Sequence, residues 1–443
     1  MQTTTRTVAI IAGLLVNLGV HADAVDDYVR AQMERMHIPG VAVGVVKAGK
    51  PIKQQGYGYS NLELKTPVSA DSVFKIGSVS KQFIATAIVV LASDGKLRLD
   101  DGINKYLESA PATWEPITIQ HLLTHTSGLR RESPGFDALK IQSEAEVIKK
   151  AYESPLEFQP GERMVYCNLG YFILAEIVTK SSGMPWPTFI EQRLFAPAGM
   201  KASRTTDMKA LVPERADGYV YDDTGAYQNA AILFAVRPSG AFLSSVADLV
   251  KWDRALRDAK IISSQDLQRM WQPVSLSTGE LSPYGFGWEV DALNGHPKAS
   301  HGGSLPGFRA FFLRLPQDDL SVIVLANADG AATDTLAIGI AETYVPGLFP
   351  KRKAIVLPTK QLQSYVGRYQ MQQAGIATVE IIDGSLAVTF GAMSKTRIVP
   401  EATHLFFLPD DRRVQVRFTT AAEGTKLEYL VNDRLAISGT RTE

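Results

Sequence analysis

One cysteine, Cys167, stands in 443 residues, so the chain can form no disulfide with itself. Zinc or iron–sulfur sites built from four cysteines lack their ligands. Charge of one sign is also missing: 46 Lys plus Arg balance 46 Asp plus Glu, leaving no net field to draw nucleic acid or anionic lipid. No nucleic-acid partner is expected. The metal-hydrolase strings are absent too, because His121 is followed by Leu122 rather than the Glu of H-E-x-x-H, and no H-x-H-x-D occurs. Without G-x-S-x-G, the nucleophile elbow of α/β-hydrolases is missing as well. What remains for chemistry is Ser, Lys, Tyr, His and carboxylates. With 45% hydrophobic and 21% charged residues the composition is that of a globular chain.

No apolar run reaches the roughly 20 residues of a spanning helix. The stretch from Val8 to Val20 follows Arg6, is broken by Asn17, and leads into Val20-His21-Ala22 or Ala22-Asp23-Ala24. That three-part pattern predicts a secretory signal over residues 1–24, cleaved after Ala22 or Ala24, with a periplasmic or secreted product and no stable membrane insertion afterwards. A polar helix over Asp23–Met36 precedes a hairpin of strands Val41–Lys47 and Ile52–Ser60, turning at Ala48–Pro51. Phe83, Ala87, Val90 and Leu91 recur at helical spacing, predicting a helix over Val79–Ala92. The region from Asp101 to Trp271 reads as helix and loop, with Thr118 and Ser245 as N-caps. Strands return at Tyr284–Val290, Ala310–Leu315 and Ser321–Ala326, and a helix over Ala331–Tyr344 closes the unit.

Strands at both ends with helices between imply an antiparallel sheet flanked by helices, plus a helical subdomain, with a ligand cleft between layers. This α/β domain is expected over residues 25–345. Residues 346–358, rich in Pro, Lys and Arg, read as a linker. Over 359–443 short alternating strands around Asp383-Gly384-Ser385 predict a small all-β accessory domain, a meander or barrel.

A serine hydroxyl needs a base beside it, donors for the oxyanion and an acid for the leaving atom. Ser78-Val79-Ser80-Lys81 supplies nucleophile and base one helical turn apart. Two other S-x-x-K strings compete. Ser93-Asp94-Gly95-Lys96 is a turn, and Ser72-Val73-Phe74-Lys75 suits an extended segment, so context selects Ser78. Tyr166 and Asn168 place a phenol and an amide two residues apart; Tyr227-Gln228-Asn229 is a decoy of the same form. His301-Gly302-Gly303-Ser304 stands before the Ala310 strand, its glycines allowing close substrate approach, although Gly pairs also mark plain turns. The amides of Ser78 and Ser304 then suit an oxyanion hole.

Together FKIGSVSKQF, LLTHTSGL, YCNLGY, PSGAFLSSVADL, YGFGWEV and HGGSLPGF, spread over Ile38 to Asn327, resemble the serine β-lactamase and penicillin-binding protein superfamily. The resemblance is strongest to the class C branch with its esterases, D-aminopeptidases and D-alanyl-D-alanine carboxypeptidases. It implies Ser78 as nucleophile, Lys81 and Tyr166 as the proton-transfer pair, Asn168 as partner of substrate and Lys81, and His301, Gly302, Gly303 and Ser304 as the binding strand. No metal or organic cofactor is implied. YVGRYQ at Tyr365 to Gln370 resembles the start of the lipocalin-like domains appended to such hydrolases. Two departures stand out. His301 replaces the lysine of the usual Lys-Thr-Gly, exchanging a permanent cation for a group that ordinarily titrates near pH ~6.5. Cys167 occupies the middle of the tyrosine motif, and no Cys–His signature surrounds it to make it a rival nucleophile.

The expected function is an exported serine hydrolase that works through an acyl-enzyme on Ser78. Esterase, D-amino-acid peptidase or carboxypeptidase activity ranks ahead of β-lactam hydrolysis, and small molecules or peptides, peptidoglycan stems included, are the expected substrates. The alternative is a cell-wall peptide or penicillin binder with little turnover. Sequence leaves the oligomeric state open.

Overall fold

A computed structural model describes residues 18–442 except 207–209, 223, 233–236, 241, 373–374, 391–394, 410, 422–423 and 432–433. Residues 1–17 of the expected secretory segment lie outside the described residues; helix α1 (Leu18–Arg35) covers the rest. Among the described residues no helix is long and apolar enough to cross a membrane.

Strands β1 (Gly40–Lys47) and β2 (Lys50–Asn61) form the expected hairpin. Ala48 and Gly49 turn it with φ of 49° and 72°, the left-handed pair that matches strand twist. Alternate β1 side chains face opposite ways. Val41, Val43 and Val45 pack with α1 and α5 (Thr333–Tyr344), while Gly44 faces α4 (Val246–Arg257). A Cβ on Gly44 would lie 2.8 Å from Val246, so glycine sets how closely α4 approaches. With both faces covered, β1 is buried almost throughout.

The sheet continues through distant segments. Its order is β4 (Glu289–Leu293), β5 (His296–Leu305), β6 (Phe308–Leu315), β7 (Leu320–Ala326), then β1, β2 and β3 (Thr66–Pro67), every pair antiparallel. One strand expectation needs correction. The strand expected from Tyr284 begins at Glu289, because Gly285 and Gly287 fold the preceding residues into a corner. The binding strand implied at His301–Ser304 is part of a ten-residue strand rather than a glycine turn. Pairing of His301 through Leu305 with Phe312 through Phe308 holds the glycines extended against their local preference for a turn.

Gly77–Ser80 forms one 3-10 turn that runs into α2 (Lys81–Ser93), whose residues Lys81 to Leu91 are all buried. A helix apolar on every side belongs in the core. It lies between the sheet and the helical subdomain, against α3 (Asn168–Ser182). Thr118 and Ser245 cap their helices as expected, accepting from His121 N and Asp248 N. The C-terminal unit is a closed barrel of eight strands, β8 (Gly367–Met371) to β15 (Arg434–Arg441), consistent with a small lipocalin-like domain. Pairing of Tyr369 with Arg441 closes it. The barrel meets α5 through Arg413 to Asp334 at 3.3 Å and Thr335 to Asp411 at 3.2 Å.

Candidate active site

The helix start that carries Ser78 sits against β5. A Cβ on Gly303 would lie 1.9 Å from Ile76 O and 3.3 Å from Ser78 N, and one on Gly77, at φ 52°, would lie 2.5 Å from Ser304 N. Only glycine at both positions permits this approach, which brings the Ser78 and Ser304 amides to one end of the cleft. Strand β4 stops pairing at Ser300, so residues 301–305 present a free edge beside Ser78. The cleft there has a volume of about 590 Å³ and is lined by Ser78, Tyr166, Arg131 and residues 301–304.

Ser78 is half-buried and Lys81 wholly buried. Lys81 Nζ lies 2.8 Å from Asn168 Oδ1, 2.8 Å from Ser239 O and 3.3 Å from Ser78 Oγ. Burial first, and the nearby Arg237 second, hold its pKa well below that of a free lysine. A neutral amine has two N–H groups and one lone pair. Asn168 Oδ1 and Ser239 O can only accept, so they take the two protons, and the lone pair is left for the Ser78 hydroxyl.

Tyr166 lies over Lys81, its ring centroid 4.6 Å from Nζ. Its hydroxyl is buried, and burial raises its pKa, opposed by the Ser78 hydroxyl beside it. The phenol is therefore protonated when Lys81 is neutral. Asn168 opens α3, and its Nδ2 donates to Glu132 Oε1 at 2.6 Å. Glu132 is gripped by Arg237 Nη2 at 2.8 and 3.0 Å. A relay thus runs from the amine through one amide to an ion pair.

His301 departs from expectation. It is buried, and burial followed by Lys81 lowers its pKa to about 3, so it is neutral rather than titrating near 6.5. Its Nδ1 lies 2.6 Å from Gly302 O, which only accepts, so Nδ1 carries the proton and Nε2 accepts from Tyr284 Oη at 2.8 Å. His301 shapes the cleft without supplying a cation. Cys167 is buried, its thiol pushed up to about 12 by burial. Its sulfur accepts from Gly170 N at 3.3 Å as the cap of α3, so the rival nucleophile is a structural residue.

The structure brings Ser78, Lys81, Tyr166, Asn168 and residues 301–304, expected from the sequence as one set, into the same cleft. The sequence reading gave them candidate roles. It gave no role to Glu132, Arg237, Ser239, Tyr284 or His125. His125 lies past the end of its short helix at φ 59°. Its Nδ1 accepts from Cys167 N at 3.1 Å, and its ring packs between Tyr166 and Tyr284. Three of the five lie inside motif strings already noted: His125 in LLTHTSGL, Ser239 in PSGAFLSS and Tyr284 in YGFGWEV.

A serine and a buried lysine on one helical turn, a tyrosine overhead, and a glycine strand edge alongside define a serine hydrolase of the β-lactamase and penicillin-binding class. The chain belongs to the Beta-lactamase family, whose profile matches residues 25–344. A second profile, a domain of unknown function (DUF3471), matches residues 351–434. The chain is 30% identical to Penicillin-binding protein 4* of Bacillus subtilis (strain 168), covering 90% of this chain and 94% of that protein. It is 27% identical to a D-aminopeptidase of Brucella anthropi, covering 73% of this chain but 64% of the relative. The solved octameric penicillin-binding protein homologue from Pyrococcus abyssi superposes with a TM-score of 0.69 at 25% identity, covering 94% of this chain and 99% of that one.

Proposed function

We propose that the protein hydrolyses small esters and D-amino-acid amides or peptides through an acyl-enzyme on Ser78. The carrying observation is the hydrogen-bond count at Lys81, whose lone pair is left for the Ser78 hydroxyl. Lys81 takes the proton as Ser78 Oγ attacks the carbonyl carbon, and the amides of Ser78 and Ser304 receive the oxyanion. The protonated Tyr166 gives its proton to the leaving nitrogen or oxygen, and Lys81 restores it. Water then attacks the ester carbonyl, and Ser78 leaves with the proton returned. The absence of a cation at His301 supports ranking esters and D-amino-acid amides above cephalosporins, whose carboxylate finds no lysine there. An intact proton-transfer pair also argues against a binder without turnover. The Arg6 to Ala24 pattern supports export, which N-terminal sequencing of the mature protein tests.

The test is labelling with a fluorophosphonate and turnover of short p-nitrophenyl esters, D-amino-acid anilides and nitrocefin. Ser78 takes the label, Ser78→Ala takes none, and esters and anilides turn over faster than nitrocefin. A label on another residue overturns the mechanism, and fast nitrocefin turnover overturns the ranking.

A further inference from the structure

Past Ser304, at the tip of the β5–β6 hairpin, lies a second cavity of about 260 Å³ with Lys75, Arg215, Pro306 and Phe308 in its walls. Lys75 belongs to the short strand Phe74–Lys75 that leads into the Ser78 turn, and its ammonium lies 5.7 Å from the centroid of the Phe308 ring. Neither Lys75 nor Arg215 makes a side-chain hydrogen bond or ion pair to any described residue. The one carboxylate in the wall among the described residues, Asp217, accepts from Asn61 Nδ2 at 2.6 Å. The cavity wall is tight, since a Cβ on Gly218 would lie 2.6 Å from the Phe308 ring.

Two half-buried cations that share a cavity without a counter-ion among the described residues repel one another. Burial and then Arg215 disfavour the charge on Lys75. An anion placed between them relieves both penalties, and the Phe308 and Pro306 walls accommodate an apolar body attached to it. The cavity also has a direction relative to the chemistry. Tyr166, the leaving-group donor, packs near His301 at one end of the free strand edge, with ring centroids 6.1 Å apart. The cavity opens beyond the other end, at Pro306, so it faces the part of the substrate retained on Ser78.

We propose that Lys75 and Arg215 form a subsite for a carboxylate carried by the acyl portion of the substrate, two strand residues or about 7 Å beyond Ser304. The preferred substrates are then esters or amides whose acyl group ends in an anion at that reach, such as a dicarboxylic half-ester or an acyl-side acidic residue. This inference rests on Ser78 acting as the nucleophile, and its test separates the two.

Two esters that differ only at the far end, p-nitrophenyl hydrogen adipate and p-nitrophenyl methyl adipate, report the subsite with the full chain. The acid-ended ester is favoured about tenfold or more in kcat/KM, chiefly through KM, and added salt erodes the preference. Lys75→Met and Arg215→Gln each remove most of that ratio while the neutral ester stays within about twofold of wild type. A wild-type ratio near one, or a ratio that survives in the double variant, overturns the subsite. Should neither ester turn over and no fluorophosphonate label Ser78, the nucleophile assignment fails. The subsite is then judged by calorimetry with monomethyl adipate: weaker binding to Arg215→Gln by about tenfold supports it, and equal affinity overturns it.

Discussion

The charges behind Asn168 set the pH at which the enzyme works, and two substitutions move it in opposite directions. Glu132 raises the pKa of Lys81 and Arg237 lowers it, while the two grip each other at 2.8 Å. Glu132→Gln removes the anion and leaves Arg237 uncompensated, so Lys81 loses its proton more easily. Arg237→Gln removes the cation and leaves the carboxylate uncompensated, so Lys81 holds its proton longer. Across one amide the carboxylate and the amine stand roughly 7 Å apart, where an effective dielectric of about 20 gives about 2.4 kcal/mol, or about 1.7 pH units. Glu132 is 37% exposed, and solvent screening reduces the expected shift to about one unit. The assay is kcat/KM for a neutral p-nitrophenyl ester between pH 4 and 9, with thermal melts to confirm folding. The acid limb moves down by about one unit in Glu132→Gln and up by a similar amount in Arg237→Gln. Shifts in the same direction, or none in either variant, would refute Lys81 as the base.

Gly303→Ala places a methyl 1.9 Å from Ile76 O, so the turn bearing Ser78 must retreat from β5. Turnover then falls by about 100-fold, as when an oxyanion donor is lost, and a variant of normal activity would show that the approach is not needed. Cys167→Ala loses the cap on Gly170 N and about 1 kcal/mol of stability in urea unfolding, whereas Cys167→Ser keeps it. Iodoacetamide leaves the native enzyme active, since the thiol is buried and its pKa is pushed up to about 12. Rapid inactivation by the reagent would contradict the structural role. His301, lowered to about 3 in the fold, protonates first in the unfolded chain, so acid favours unfolding. From pH ~6.5 down toward the folded value this group costs up to about 1.4 kcal/mol of stability per unit. His301→Gln flattens the stability–pH slope by that amount; an unchanged slope would mean the imidazole is not held neutral.

Local covalent spacing made part of this molecule legible from its letters. Ser78 and Lys81 share a helical face because three residues make nearly one turn, and Ala48-Gly49 turns the first hairpin because those backbone positions favour it. Thr118 and Ser245 cap helices because a short hydroxyl reaches the free amides of the next turn. From local preference alone the strand through Gly302 and Gly303 was not legible, since two glycines signal a turn until β6 pairs with them, and it was the family resemblance that pointed to it. Nor was the role of His125, which reaches the site only because the chain turns at a positive φ beyond a short helix. Glu132 and Arg237 carried no motif, because a charge pair matters here only through Asn168, 36 residues from Glu132 along the chain. By itself, then, the sequence determined the candidate set of groups and which helical turn joins two of them. Tertiary structure alone decided their protonation states, because desolvation and Coulomb interaction depend on what is buried beside a group and not on its neighbours along the chain.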